Sequence, residues 1–317
     1  MNYKIFQYVP MSKPKALSKM LPKIINNNAN IILDLEDSVQ DTLNPNNTTI
    51  LKEDARQSIP LLIEELLKKE IDISQNIYIR VNSLDTGELE KDIEIVKVIS
   101  SKVKIIGIFA PMIRIVDDLF TIKKLLGEQF SRSKIVPIIE TVDGYKNLKE
   151  ILKNSKELNI EYIHYGHYDY SLNSEEWPFI GQDQKLFWDF IDNIIQTIEN
   201  SNMKYMHTPF GNLTDENLYK SVIKKLTNTC QHNFAVTALN FNQVLFAQDI
   251  SMADNLQYCN IGNIDKYKLA EEVVNVFENN QCSKRSFSVD IKKSKFLTPH
   301  EYKMAKKYLE KVQNERN

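Results

Sequence analysis

Glycine and cysteine are both scarce in this chain, with eight and three in 317 residues. The few glycines form no Gly-x-Gly-x-x-Gly run, which excludes the phosphate-cradling loop of dinucleotide-binding folds. Cys230, Cys259 and Cys282 are odd in number and show no metal-ligand spacing, so they read as reduced thiols of a cytoplasmic protein. No apolar run approaches the roughly 20 residues that span a bilayer. The opening stretch Met1-Asn-Tyr-Lys-Ile-Phe-Gln7 lacks the apolar segment of a signal peptide. A formal net charge of −2 argues against a nucleic-acid or membrane surface as the main partner. The expectation is a soluble cytoplasmic protein that acts on a small molecule, with 42% apolar residues to build a sizeable core.

Short β-branched or aromatic runs bounded by turn residues mark eight strands: Ile5–Val9, Asn30–Leu35, Asn76–Val81, Val103–Ala110, Lys134–Ile139, Tyr162–Tyr165, Lys204–Thr208 and Phe234–Leu239. Helical patterns lie between them, among them Ile59–Lys69, Leu89–Ser100, Asp117–Gly127, Tyr145–Ser155, Gln184–Asn200 and Asp215–Lys225. Alternating strands and helices imply a parallel sheet, and eight units at this length predict a closed TIM (β/α)8 barrel over residues 1–262. An open doubly wound sheet is the alternative, and the missing phosphate loop counts against it. Residues 263–317 read as a helical extension, with helices over Lys266–Glu278 and Pro299–Gln313.

Two segments carry most of the functional signal. Ile135-Val-Pro-Ile-Ile-Glu140 and Tyr162-Ile-His-Tyr-Gly166-His-Tyr-Asp169 are apolar runs that each end in a carboxylate beside turn residues. Glu140 and Asp169 are 29 residues apart, about one strand–helix–strand unit, so a barrel sets them at neighbouring strand ends facing one site. Two carboxylates converging there suit a hard cation, Mg²⁺ or Mn²⁺. The second strand ends in Asp34, Glu36 and Asp37, and the third in Arg80, a cation inside an apolar run. Burying uncompensated carboxylates is expensive, and the planar fork of arginine suits a carboxylate or an enolate oxygen. The joint reading is a metal plus Arg80 clamping a 2-oxo acid or thioester enolate. Each residue also has a plainer role: strand-end acids often cap turns, Asp34 could bridge the barrel mouth, and Arg80 could pair with Glu36 or Asp37 as support.

The order of motifs resembles the citrate lyase β-subunit group of the HpcH/HpaI aldolase superfamily. The resemblance rests on Asp34-Leu-Glu-Asp-Ser-Val39, Ala55-Arg56, Arg80-Val-Asn82, Pro111, Ile139-Glu-Thr141 with Gly144, and Gly166-x-x-Asp169. The opening Val9-Pro10-x-Ser12-x-Pro14 with Lys19, and the late Phe287-Ser-Val-Asp290 and Ala305, extend it over nearly the whole chain. It implies a Mg²⁺-dependent carbon–carbon lyase or aldolase in which Glu140 and Asp169 bind the metal. Arg80 would hold the substrate, and Asp34, Glu36 and Asp37 would orient the site. It further implies a homo-oligomer whose C-terminal extension reaches a neighbouring subunit's site, with Asp290 in that role. Pro111 and His207 are the remaining candidates for contact with substrate.

Several positions depart from the family pattern. Pro10 is followed by Met11 in place of glycine, and Pro111 by Met112 in place of lysine. The seventh strand ends Met206-His207, and the segment after the eighth reads Leu239-Asn-Phe-Asn-Gln243. The metal and carboxylate core is kept while the wall changes, which tilts the reading from coenzyme A thioesters towards free hydroxy-2-oxo acids. His164, His167 and His207 match no zinc spacing and read first as hydrogen-bonded histidines of the barrel mouth. The competing class is a non-catalytic 2-oxo-acid or acyl-CoA binding protein that keeps Arg80, Glu140 and Asp169.

Overall fold

A computed structural model describes residues 3–11, 14–71, 73, 76–259, 264–279, 289–290 and 296–316. Eight parallel strands close into a barrel in chain order. They are β1 (Tyr3–Pro10), β2 (Ala29–Asp34), β3 (Ile77–Arg80), β4 (Gly107–Ala110), β5 (Lys134–Ile139), β6 (Tyr162–Tyr165), β7 (Lys204–Met206) and β8 (Phe234–Ala238). Closure comes from β1 pairing with β8, Phe6 opposite Thr237. The expected (β/α)8 barrel is therefore present, with β5 and β6 spanning the expected residues. The expected fourth strand is shortened from its start. Lys102 and Val103 donate their N–H groups back to the Ile99 carbonyl at 2.9 and 3.0 Å, finishing the preceding helix instead of pairing in the sheet.

Strand parity decides what reaches the barrel interior, because alternate side chains face opposite sides of a strand. Phe6, Tyr8, Ile32, Tyr78, Phe109, Val136, Ile138, Tyr162, Met206 and Ala235 form the inner core. Ile5, Val9, Ile31, Leu33, Ile79 and Ile163 face outward into a second, larger core under the helices. Phe6 sits edge-on to Tyr78 and Tyr162, with ring centroids 5.1 and 5.6 Å away. The strand floor is thereby filled with rings that prefer this geometry. Continuing the inward series by two residues puts Asp34 above Ile32, Arg80 above Tyr78, Glu140 above Ile138 and His164 above Tyr162. The polar layer of the mouth is thus the next storey of the same column.

The helices cover the outer face, and two differ from expectation. The helix expected from Ile59 begins at Thr48 and continues through Pro60 to Lys68. A proline inside a helix removes one backbone bond. Here the helix is also tied through its buried Arg56, whose Nε donates to Asp92 at 2.7 Å and whose Nη2 pairs with Glu88. Asp92 Oδ2 in turn accepts from the backbone N–H and Nδ2 of Asn82, at 2.6 and 2.7 Å, and Asn82 Nδ2 also reaches the Leu35 carbonyl. This buried chain fixes the loops after β2 and β3 to the helical layer. The helix expected over Tyr145–Ser155 is divided at Asn147 into Val142–Lys146 and Leu148–Lys153.

Past the barrel, the helices Lys266–Asn279 and Pro299–Arg316 pack on each other and around Trp177 through Ala270, Val273, Phe277, Leu297 and Tyr302. Phe277 and Tyr302 stack at 4.5 Å, and Trp177 Nε1 donates to the Lys266 carbonyl at 2.9 Å. The last helix starts with a reciprocal cap. Glu301 N–H donates to Thr298 Oγ1 at 3.1 Å, while Thr298 N–H donates to Glu301 Oε2 at 2.9 Å. Pro299 occupies the first helical position, which needs no N–H. That cap delivers His300 to the barrel mouth. Among the described residues no helix is long and apolar enough to cross a membrane.

Candidate active site

The polar layer sits at the C-terminal ends of the strands, where barrels of this type carry their chemistry. Asp34, fully buried at the end of β2, accepts Arg80 Nε on one oxygen at 2.7 Å and Arg80 Nη2 on the other at 2.6 Å. The same two oxygens accept the N–H groups of Glu36 and Ser38 at 3.0 and 3.3 Å. Arg80 Nη1 reaches Asp37 at 2.9 Å and lies 2.8 Å from Glu36 Oε2, and the guanidinium covers the Tyr8 ring at 4.6 Å. Three of its five N–H groups are spent on directed bonds to Asp34 and Asp37; the second Nη2 N–H takes no partner among the described residues, and Arg80 lines the cavity.

Glu140 follows β5 and is buried. Its Oε1 accepts the Met112 N–H at 2.6 Å. Met112 holds a left-handed φ of 55°, a costly conformation for a side chain of this kind, and the turn after Pro111 is what aims that N–H. Glu140 Oε2 takes no hydrogen bond from the described residues. Room for it exists because position 166 is glycine: a Cβ there would overlap Glu140 Oε2 and come within 2.9 Å of Glu140 Cβ and 3.0 Å of Ile138 Cγ2. Gly166→Ala is expected to cost about 1–3 kcal/mol in urea unfolding and to turn the Glu140 carboxylate away. An alanine variant of native stability would mean that the carboxylate is free to move.

Asp169 lies in the first turn of the helix His167–Asn173, and its Oδ2 meets His300 Nε2 at 3.1 Å. Donor atoms of Asp37, Asp169 and His300 all fall within 4.8 Å of one another, the one such metal-competent group among the described residues. Glu140 faces the same cavity outside that group. The cavity measures about 30 Å³. That is room for an ion or a water rather than a dicarboxylate.

Five carboxylates, Asp34, Glu36, Asp37, Glu140 and Asp169, thus surround one guanidinium and one imidazole. Burial, then the Asp169 and Asp37 charges, hold the Glu140 carboxyl well above its ordinary range. Burial and Asp37 do the same to Glu36. Burial also works on Asp37, but Arg80, His300 and Lys303 outweigh it and keep that carboxyl ionised. For His300, burial opposes protonation, while Asp169 and Asp37 outweigh it and favour the imidazolium. Against these five acids the described residues set three cations, Arg80, His300 and Lys303, and burial holds two of the acids, Glu36 and Glu140, towards their neutral forms. A divalent ion, with oxygen donors offered by Glu140 and Asp169, fits the donor set and the room left by Gly166.

The structure brings Arg80, Asp37, Glu140 and Asp169 to one cavity, and Asp34, Glu36, Pro111 and His207 are not among its described lining residues. Asp34 and Glu36, expected among the catalytic groups, do not line it; they position Arg80. His207, expected at the substrate, is turned away: Nε2 donates to Gln182 Oε1 and Nδ1 accepts from Tyr205 hydroxyl, both at 3.0 Å, while the ring stacks on Trp188. Burial lowers its pKa to about 3, so it stays neutral. His164 lines the cavity, but Tyr8 hydroxyl and the Met206 carbonyl occupy its two nitrogens. His167 is likewise held by Tyr165 and the Ile180 carbonyl. Pro111 does not line the cavity and acts through the Met112 turn. The backbone of Asp290 pairs with Phe296; its side chain, like Ser12, Cys282 and Phe287, lies outside the described residues. The group missing from the sequence expectation is His300.

The family model described as HpcH/HpaI aldolase/citrate lyase matches residues 4–219. No curated protein matches the chain. Among solved structures, RipC from Yersinia pestis aligns with a TM-score of 0.56 at 17% identity, over 78% of this chain and 94% of that one. The citrate lyase beta subunit from Mycobacterium tuberculosis aligns with a TM-score of 0.58 at 13% identity, over 80% and 98%. Protein CitE from the same organism, in complex with magnesium, acetoacetate and coenzyme A, aligns with a TM-score of 0.60 at 12% identity, over 98% of both chains. At such identities the likeness is one of fold.

Proposed function

The chain belongs to the HpcH/HpaI aldolase/citrate lyase family, and from that premise we propose that it is a divalent-metal-dependent carbon–carbon lyase. Its substrate would be a 2-oxo acid or acyl thioester that reacts through an enolate. The observation that carries this reading is the gathering of carboxylates at the barrel mouth, with Glu140, buried, and Asp169, partly exposed, both lining one small cavity beside Arg80. Solved relatives of the fold were crystallised with magnesium and with oxaloacetate or pyruvate, which accords with that choice.

Mg²⁺ or Mn²⁺ would be held by Glu140 and Asp169, and would supply a Lewis acid for an oxo oxygen that gains charge as the carbon–carbon bond breaks. Met112 N–H fixes Glu140, and His300 fixes Asp169. Asp34, by gripping Arg80 with both oxygens, keeps the guanidinium from rotating, and the remaining Nη2 N–H is left to hold a substrate carboxylate. Tyr8 hydroxyl donates to His164 Nε2, because Nδ1–H is committed to a carbonyl, so the Tyr8 oxygen presents lone pairs to the cavity. The changed wall at Met11, Met112 and Asn240 favours a free acid over a coenzyme A ester.

Calorimetry of the native chain with Mg²⁺ or Mn²⁺ and oxalate, an enolate mimic, tests the proposal. Metal-dependent oxalate binding, lost in Glu140→Ala, is expected. Absence of metal binding by the native chain sinks the lyase mechanism. Oxalate binding without turnover of any aldol or Claisen substrate would favour the binding-protein reading.

A further inference from the structure

His300 reaches the metal-competent cavity from the C-terminal extension, while the other described groups there come from the barrel strands and the segments that directly follow them. It is buried, with 4% of its surface exposed, and Nε2 lies 3.1 Å from Asp169 Oδ2. Two ligands on adjacent corners of an octahedral ion with bonds near 2.1 Å stand about 3.0 Å apart. The observed separation is therefore that of a coordination edge as well as of a hydrogen bond. Three supports hold the ring in place. The Thr298–Glu301 cap fixes the turn that carries it. The Tyr168 ring lies beside it at 5.7 Å. The Trp177 cluster anchors the extension. Across the cavity Glu140 Oε2, on a side chain 3% exposed, takes no hydrogen bond from the described residues. With a volume of about 30 Å³, the cavity has room for an ion or a water and too little for a dicarboxylate.

From this geometry we infer that His300 Nε2 is a ligand of the cation in the substrate-free protein, beside Asp169 and Asp37, whose donor atoms stand with it within 4.8 Å, and that an incoming carboxylate displaces it. This rests on the metal-dependent reading above and goes further in assigning the extension a place on the metal. Coordination requires the Nε2 proton to leave to solvent as the ion enters, a one-for-one exchange at that nitrogen. It also changes selectivity, because an imidazole in an otherwise oxygen site favours first-row transition ions over Mg²⁺. The extension thereby acts as a plug whose end is released when substrate oxygens take its coordination position.

Mn²⁺ bound to the untagged chain, followed by pulsed electron paramagnetic resonance, reads this directly. The native chain is expected to show a directly coordinated imidazole nitrogen that disappears at saturating oxalate. His300→Gln, which can still donate to Asp169, should lack that nitrogen signal and bind oxalate several-fold more tightly. Its preference for Mn²⁺ over Mg²⁺ should fall on the order of tenfold. A hydrogen-bonding role alone would leave that preference unchanged. A native Mn²⁺ complex with no nitrogen coupling, or with coupling that survives oxalate, overturns the inference and leaves the metal site standing. Failure of the native chain to bind Mn²⁺ overturns the metal-dependent reading itself.

Discussion

Arg80→Met is expected to lower the unfolding free energy by about 3–5 kcal/mol at neutral pH, the usual cost of leaving a buried charge without its partner. Asp34 is fully buried and directs both oxygens at Arg80, while Asp37 and Glu36 lie within 2.9 Å of the same guanidinium. Methionine fills much of the volume but strands these carboxylates. The deficit should shrink at pH 5, because protonation removes the uncompensated charge. Arg80→Lys retains the charge and loses the fork, so an intermediate loss is expected. Urea unfolding at pH 7.5 and pH 5 measures both. A loss below about 1 kcal/mol would show the cluster to be solvent-screened like a surface pair. The same variant separates two roles at the site. Removing a positive charge beside Asp37 should leave divalent-ion affinity unchanged or higher, while oxalate affinity falls at least tenfold. If oxalate binds normally, Arg80 is a structural brace with no share in ligand recognition.

The strands and the acids of the mouth were legible in the sequence because one periodicity governs both. Val136, Ile138 and Glu140 alternate on β5 as Tyr78 and Arg80 do on β3, so inward apolar positions point to inward polar ones two residues on. The roles within the mouth were less legible. Nothing local distinguishes Asp34, both of whose oxygens are consumed by Arg80 and backbone N–H groups, from Asp37, which faces the cavity. That difference depends on the turn after β2 and on its hydrogen bonds to Glu36 and Ser38. His207 looked available because it ends a strand. Its ring is instead committed to Gln182, on a segment 25 residues earlier in the chain. The start of the helix at Thr48 was hidden by Pro60, and its buried tie to Asp92 spans 36 residues. His300 had a readable local signal, since Thr298-Pro-His-Glu301 is a cap sequence with proline at the first helical position. Its function was invisible because contact with Asp169 spans 131 residues and depends on how the extension folds back around Trp177.

Glu140→Gln is expected to stabilise the metal-free protein and abolish its stabilisation by metal, two effects of opposite sign from one substitution. Burial and the charges of Asp169 and Asp37 raise the folded-state pKa of Glu140 well above the ordinary carboxyl value of 4.5. A carboxyl raised in this way binds its proton more tightly folded than unfolded. Its contribution is therefore most favourable below pH 4.5 and is lost as pH rises towards the folded value. Without metal, the native chain should lose stability across that window, and the glutamine variant should lack this part of the slope. Glutamine Oε1 can still accept the Met112 N–H, so the local frame has no reason to collapse. With metal the order reverses. An ion at a hundred times its dissociation constant stabilises the native chain by about 2.7 kcal/mol, and the variant, with one anionic ligand removed, should gain almost nothing. The gain in the native chain should also grow with pH, since the ion competes with the proton on Glu140. Thermal unfolding in EDTA and in Mn²⁺, from pH 5 to 8, measures all of this. If glutamine at 140 leaves the metal-induced shift intact, the ion does not bind at Glu140. If it destabilises the metal-free protein, the Glu140 carboxylate is satisfied by its surroundings and does not call for a cation.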